Sequence, residues 1–215
     1  MRQVLESGLA ALRRGAAPGL DWGDPADDVA RIGRIEAHLE ELQRWNRAYN
    51  LTSIDDPSEM AIRHVLDSLV VAPWVHGRVL DVGSGAGFPG IPLAIMDTEL
   101  DVTLLDRTAK KVRFLSHVAR HLELPNVEAV HARVEDYSAL APFDVVISRA
   151  FAALEDYAAM TRHLLGPRSR LLAMKGKRPE AELAGLPGWV GVEAVEKLAV
   201  PGLHEDRHLV IMSLN

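Results

Sequence analysis

Glycines at positions 83, 85, 87 and 90 fall inside the stretch Val79 to Leu93, Val-Leu-Asp-Val-Gly-Ser-Gly-Ala-Gly-Phe-Pro-Gly-Ile-Pro-Leu, with Asp81 just ahead of them. Glycines so placed allow positive φ in a tight turn and keep Cβ atoms away from a ligand lying against the backbone. A phosphate-gripping P-loop would end in Gly-Lys-Ser/Thr, whereas Gly87 is followed by Phe88. A dinucleotide fingerprint can be written as Gly85-x-Gly87-x-x-Gly90, but a lone match is weakly specific, and the strand meets Gly83 first. In a Rossmann arrangement an acid at the end of the next strand, about 20 residues on, takes ribose hydroxyls. Val102-Thr103-Leu104-Leu105 ends at Asp106, in that neighbourhood. The plainer alternative is a turn with incidental glycines and Asp81 as a helix cap.

Two cations also stand where strands should end, Arg149 after Val145-Val146-Ile147-Ser148 and Lys175 after Arg170 to Met174. Arg149 could instead pair with a surface acid such as Asp144 or Glu155, and Lys175 and Arg207 could be ordinary charges at sheet ends. His117 and His121 have metal-ligand spacing on a helix but no evident third ligand, so they read as solvated or phosphate-facing, as do His204 and His208. No metal site is expected. Gly-x-Ser-x-Gly is absent, which excludes an α/β-hydrolase elbow.

The elements that must carry these residues alternate. Val79, Leu80 and Val82 form a buried strand, and Ile91, Leu93, Ala94 and Ile95 a helix, with Pro89 and Pro92 in its first turn. Strand 102–105, a helix from Thr108 to His121, strands 127–130 and 145–148, a helix at 154–165 and strand 170–174 follow. Val192 to Val200, Pro201-Gly202 and His208 to Met212 read as two strands joined by a turn. This pattern predicts an α/β fold: a Rossmann-like, mostly parallel, seven-stranded sheet with an antiparallel C-terminal hairpin. Ahead of it lie a helix over 2–13, broken at Gly15 to Gly19, and a second from Asp24-Pro25 to Trp45 with the apolar stripe Val29, Ile32, Ile35, Leu39 and Leu42. A polar, turn-like stretch from Asn46 to Ser53 and a third helix from Pro57 to Val71 complete an N-terminal helical cap. We expect one domain over 1–215, with the cap at 1–76 and the core at 77–215.

Composition adds exclusions. The 215 residues contain no Cys, hence no disulfide framework or thiolate nucleophile. The start Met1-Arg2-Gln3-Val4-Leu5-Glu6 lacks the apolar core of a signal peptide, and charges interrupt every apolar run, so a cytoplasmic protein with no membrane contact is expected. The net charge of −6 argues against indiscriminate coating of nucleic acid. Bases nevertheless cluster at Arg107, Lys110, Lys111 and Arg113, and again at Arg168, Arg170, Lys175, Lys177 and Arg178. A local basic face is compatible with that, as are two solvated surfaces.

With Asp81, the turn becomes Asp-x-Gly-x-Gly-x-Gly, which resembles the first motif of class I S-adenosylmethionine (SAM) methyltransferases. That resemblance implies SAM as cofactor, its zwitterionic methionine end against loop N–H groups near Gly85, Asp81 near the ammonium, and Asp106 at the ribose. A closer likeness rests on Trp45-Asn46-x-x-Tyr49-Asn50-Leu51-Thr52-Ser53, Arg63-His64-x-x-Asp67-Ser68-Leu69, the Phe88-Pro89-Gly90-Ile91-Pro92 extension, Ser148-Arg149-Ala150, Lys175-Gly176 and Arg207-His208-Leu209-Val210-Ile211. Together these resemble the bacterial ribosomal RNA small-subunit methyltransferase G family, also called glucose-inhibited division protein B. The resemblance implies methyl transfer to guanine N7 in 16S rRNA, on naked rRNA or on the small subunit, by what we expect to be a monomer. It also implies SAM contacts from Gly83, Phe88, Val134 and Glu135, and a role at the site for Arg149, with Lys175 beside it. Two alternatives stay open at this point: a non-catalytic SAM-binding RNA or assembly factor, and an NAD(P)-dependent oxidoreductase.

Overall fold

A computed structural model describes residues 1–15, 22–149 and 152–215. Most of the expected break at Gly15 to Gly19, and Ala150 of the Ser148-Arg149-Ala150 motif, lie outside the described residues. Five strands run parallel, β1 (Arg78–Val82), β2 (Asp101–Asp106), β3 (Val127–His131), β4 (Phe143–Arg149) and β5 (Leu165–Lys175). The antiparallel pair β6 (Val190–Leu198) and β7 (Arg207–Leu214) closes one edge. Among the described residues this makes a seven-stranded sheet ordered β3-β2-β1-β4-β5-β7-β6. The chain winds outward from β1 to β3 and returns to β4 on the other side of β1. The order therefore reverses between β1 and β4, and in such sheets ligands bind at the carboxyl ends beside that reversal.

Alternation along each strand divides the core in two. Val79 joins the cluster beneath α1 (Arg2–Gly15), α2 (Asp28–Tyr49), α5 (Gly90–Met96) and α6 (Ala109–His121); Leu80 and Val82 join the cluster on the other face, under α7 (Leu154–Thr161). The N-terminal helices thus share one core with the sheet. The same parity puts Asp81, Ile147, Met174 and Leu209 towards the cap, and Val146, Ala173 and Val210 away from it.

Three boundaries differ from expectation for local reasons. The helix α2 runs on to Tyr49, where Asn50 adopts a left-handed φ of 50° and donates its N–H to the Asn46 carbonyl, ending the helix one turn later than the polar sequence suggested. The third helix is interrupted: α3 (Pro57–Met60) and α4 (Asp67–Leu69) are joined by a π-helical turn over Ala61–Leu66. Finally, α7 ends at Thr161, and β5 begins at Leu165 rather than Arg170 because Leu165 pairs with Phe143 across a register shift in β4.

Candidate active site

At the end of β1 the chain makes its glycine turn across β2. The N–H groups of Gly83 and Ser84 both reach the Leu105 carbonyl, at 2.8 and 3.1 Å. The glycines then serve different ends. Gly85, at φ +61°, faces open space: a Cβ there would find nothing nearer than the Gly83 carbonyl at 3.8 Å. At Gly90 a Cβ would press on Leu104 and on Asp81 Oδ2, and at Gly87 on Ile91, so those two permit packing of α5. Asp106 ties the turn to the next loop. Its Oδ2 accepts from the Gly85 N–H at 3.1 Å, its Oδ1 from the Thr108 N–H at 2.8 Å, and Lys111 Nζ stands 3.6 Å away. Two carboxylate oxygens offer about four acceptor positions, so capacity remains for further hydroxyls. A cleft of about 370 Å³ opens here at the carboxyl ends of β1, β2 and β3; Gly83, Asp106, Arg107, Arg133, Val134 and Glu135 are on its wall. Four of the expected cofactor residues, Gly83, Asp106, Val134 and Glu135, are therefore brought together. The donor set suits a nucleoside with a polar tail. Asp106 faces the space where ribose hydroxyls would lie, and Gly85 leaves room for close approach.

Asp81 does not reach that cleft. Strand parity turns it under the start of α5, where it is fully buried and Oδ2 accepts the Gly90 N–H at 3.0 Å. The plainer reading of Asp81 as a local backbone acceptor is the one the structure shows; the expected ammonium contact is not available to it. Its Oδ1 has no partner. Burial pushes its carboxyl up to about 7, against the pull of the Gly90 N–H and Arg149.

Phe88 is also buried, 3% exposed, and absent from the cleft wall. Its ring lies between two imidazoles, His38 with centroid 4.9 Å away and His64 at 4.7 Å, and the Arg149 guanidinium sits 5.4 Å from its centroid. His38 Nε2 donates to the Ala86 carbonyl in the glycine turn, and His64 Nε2 bonds Thr52 Oγ1 at 2.8 Å. Thr52 is in turn held by Asn46, whose amide donates to the Thr52 carbonyl and accepts the Thr52 N–H, each at 2.9 Å. The motifs 45–53 and 63–69, with His38, thus assemble into a frame that fixes the glycine turn from the cap side. Burial lowers both His38 and His64 to about 4, with the Arg149 charge adding to the shift at His64, so both rings are neutral at pH 7.

Arg149 pairs with neither Asp144 nor Glu155. Its Nη1 donates to the Arg63 carbonyl at 3.0 Å and to Asp67 Oδ2 at 3.4 Å. Asp67 Oδ1 accepts from Arg207 Nε at 2.9 Å, so one buried carboxylate holds two arginines. Asp67, which joins the two arginines, is a residue that reasoning from types alone did not single out. The signal was an acid amid Val65, Leu66 and Leu69 on an apolar helix face, since a buried acid requires a partner. His38, within the stripe of Ile35, Leu39 and Leu42, carried the same kind of signal.

Lys175 stands apart from Arg149. Arg149 pairs in register with Met174, so Lys175, one residue further, points to the opposite face. There its Nζ donates to the Ala152 carbonyl at 3.0 Å and to Glu182 Oε2 at 2.8 Å, and Glu182 Oε2 also accepts the Leu154 N–H. Because Ala152 lines the cleft, Lys175 holds a wall of it and is not a free cation beside the substrate. Lys175 and Arg207 are likewise divided between the two faces. His121 is exposed, as expected, whereas His117 is half-buried with Nε2 2.8 Å from Glu41 Oε2, and the two rings stack at 5.7 Å. His208 Nδ1 donates to the Gly176 carbonyl. Among the described residues no cluster able to hold a metal is found.

Comparison with known proteins agrees with this geometry. The family model for rRNA small subunit methyltransferase G matches residues 31–210. Relatives carrying the name ribosomal RNA small subunit methyltransferase G are similar throughout. That of Salmonella arizonae is 53% identical over 182 residues, 84% of this chain and 88% of the relative. That of Shigella flexneri is 52% identical over 183 residues, covering 85% and 88%. The chain belongs to the rRNA small subunit methyltransferase G family. A solved SAM-dependent methyltransferase from Aquifex aeolicus, 18% identical, shares the fold with a TM-score of 0.57 over 77% of this chain and 97% of that one. A glycopeptide N-methyltransferase solved with SAM, 13% identical, aligns at 0.54 over 66% and 88%. As a family member the chain is a SAM-dependent methyltransferase, with a class I Rossmann-like fold.

Proposed function

We propose that this methyltransferase modifies N7 of a guanine in 16S rRNA, in the cytoplasm and as a monomer. That its substrate is ribosomal RNA follows from its family. The atom is argued from the chemistry at the end of β4. An exocyclic amine must shed a proton and calls for an acceptor there. Here Ser148 Oγ is bonded to the Val82 carbonyl, Asp81 is buried, and Asp67 is held by two arginines. Among the described residues no free carboxylate remains at this strand end. That absence of a base is the observation supporting N7, a lone-pair nucleophile with no proton to lose.

The fold would hold SAM through Gly83, Gly85, Asp106, Val134 and Glu135; when bound, SAM supplies an electrophilic methyl group on a sulfonium. Arg149 uses only Nη1 towards Arg63 and Asp67, which leaves Nη2 and Nε as donors. A donor aimed at guanine O6 orients the base edge while N7 keeps its lone pair for attack. Methylation places positive charge on the purine, and Asp67 offsets the neighbouring guanidinium so that this charge does not meet an uncompensated cation. Catalysis here is positioning and electrostatic arrangement, not proton transfer. The test is tritiated methyl transfer to small ribosomal subunits and to naked 16S rRNA, followed by nucleoside analysis. Label recovered as 7-methylguanosine supports the reading; label in another nucleoside, or none, overturns it.

A further inference from the structure

The charges of this acidic protein are unevenly compensated. On the β5 side, Lys175 is paired with Glu182, Arg178 with Glu180 and Arg170 with Glu193, leaving Arg168 and Lys177. On the other side of the cleft the pattern reverses. Along the thirteen residues of α6 there is no acid, and none between Gln43 and Tyr49 in α2. Arg47, Arg107, Lys110, Arg113, Arg120 and Arg133 have no carboxylate partner among the described residues, and all except the half-buried Lys110 are exposed. The nearby acids are occupied or few. Glu41 is buried and bonded by Arg44 and His117, Asp106 is buried in the cleft, and the exposed acids are Glu40 and Glu123 at the margins, Glu135 on the cleft wall and Asp55 in the hollow that Arg47 also lines.

Contacts between α2 and α6 place most of these cations on two adjoining helices beside the cleft. Arg107 and Arg133 are on the wall of the cleft. Three residues on, Lys110 Nζ reaches the Tyr49 carbonyl at 2.8 Å, which locks the start of α6 to the end of α2. The Trp45 and His117 rings, 5.2 Å apart, continue that seam, with Arg47 on one helix and Arg113 on the other. A strip in which unpaired cations outnumber the exposed acids Glu135 and Asp55, leading into the cleft, suits a polyphosphate chain.

We infer that the joint face of α2 and α6, from Arg107 and Arg133 through Lys110 to Arg47 and Arg113, is where the backbone of the RNA substrate lies. This rests on the proposed RNA methylation, and it favours this face over the basic cluster of Arg168, Arg170, Lys175, Lys177 and Arg178. Each phosphate neutralised releases counterions, so affinity falls with salt by about 0.7–0.9 log units per contact for each tenfold rise in salt.

The test measures equilibrium binding of unmethylated small ribosomal subunits across a salt series, in parallel with methyl transfer and SAM calorimetry. Three full-length proteins are compared: wild type, Arg47→Ala/Arg113→Ala, and Lys177→Ala/Arg178→Ala. The first variant should bind subunits about tenfold more weakly at low salt, with a slope shallower by about 1.4–1.8 and SAM affinity unchanged. The second should stay within about twofold of wild type. Unchanged affinity and slope in the first variant, or the loss appearing in the second, overturns the inference. If wild type binds subunits and the first variant does not, yet neither transfers a methyl group, the surface stands and the enzymatic reading falls. A wild type that fails to bind subunits overturns both.

Discussion

Asp81 holds a buried carboxyl with one oxygen on Gly90 N–H and the other without a partner. In the unfolded chain such a group titrates near 3.9, whereas here it keeps its proton up to about 7. Between those values the native state binds more protons than the unfolded one, so stability at this site falls as pH rises from about 4 to about 7. Asp81→Asn retains the acceptor for Gly90 and removes the charge. It should raise unfolding free energy at pH 8 by about 1–3 kcal/mol and by much less at pH 5. Urea melts at the two pH values check this; equal stabilities at pH 8 would show the carboxylate to be solvated. Asp67 makes the opposite case, because it holds two cations in place. Asp67→Asn should lower kcat for methyl transfer by at least about tenfold and cost about 3–5 kcal/mol of stability, as expected when one partner of a buried pair is removed. SAM affinity, read by calorimetry on the folded fraction, should be retained, since Asp67 is not on the cleft wall.

The glycine turn works as a unit with β2 and α5, and its members fail in different ways when a methyl group is added. Gly85→Ala meets no protein atom, so its cost to folding is that of a left-handed φ, about 1–2 kcal/mol. In the proposed placement of SAM the added methyl group meets the ligand, and SAM affinity should fall by at least about tenfold, about 1.4 kcal/mol. Gly90→Ala presses on Leu104 and Asp81 inside the core, so thermal stability should suffer first. Calorimetry and melting temperatures on the pair separate the two roles. Equal SAM affinity for Gly85→Ala and wild type would place the methionine end elsewhere.

The frame that joins cap to sheet sets the acid stability of the whole molecule. His38 and His64 stay neutral down to about 4, while the same side chains in the unfolded chain take protons near 6.5. The unfolded state thus binds more protons between those values, and each histidine removes about 1.4 kcal/mol per pH unit as pH falls through the window. Asp81 acts in the opposite sense over the same window. Two losses and one gain leave a net loss of about 1.4 kcal/mol per unit, with stability highest between about pH 6.5 and 7. In Asp81→Asn the opposing term is gone, and the slope below pH 6.5 should be about twice that of wild type. Denaturant melts at half-unit steps from pH 7 to 4.5 give both slopes, and equal slopes would show that the three buried groups are not coupled to folding in this way.

Local spacing in the sequence was enough for the strand, the glycine turn and the acid at the end of β2, because the period of two in strands and the φ demands of a tight turn act over a few residues. It was also enough for the order of strands and helices and for the antiparallel hairpin. Pairings across long separations were a different matter. Asp67 meets Arg149 from 82 residues away and Arg207 from 140, and no local pattern encodes such a meeting. Likewise Arg149 and Lys175 stood alike at strand ends. Only the register of β4 on β5, and the choice of which face the N-terminal helices cover, sent one beneath the cap and the other to Glu182. Phe88 and Asp81 carry motif signatures that read as ligand contacts, yet packing of α5 and the two histidines buries both, because burial depends on what the rest of the chain lays over a residue and not on its neighbours in sequence.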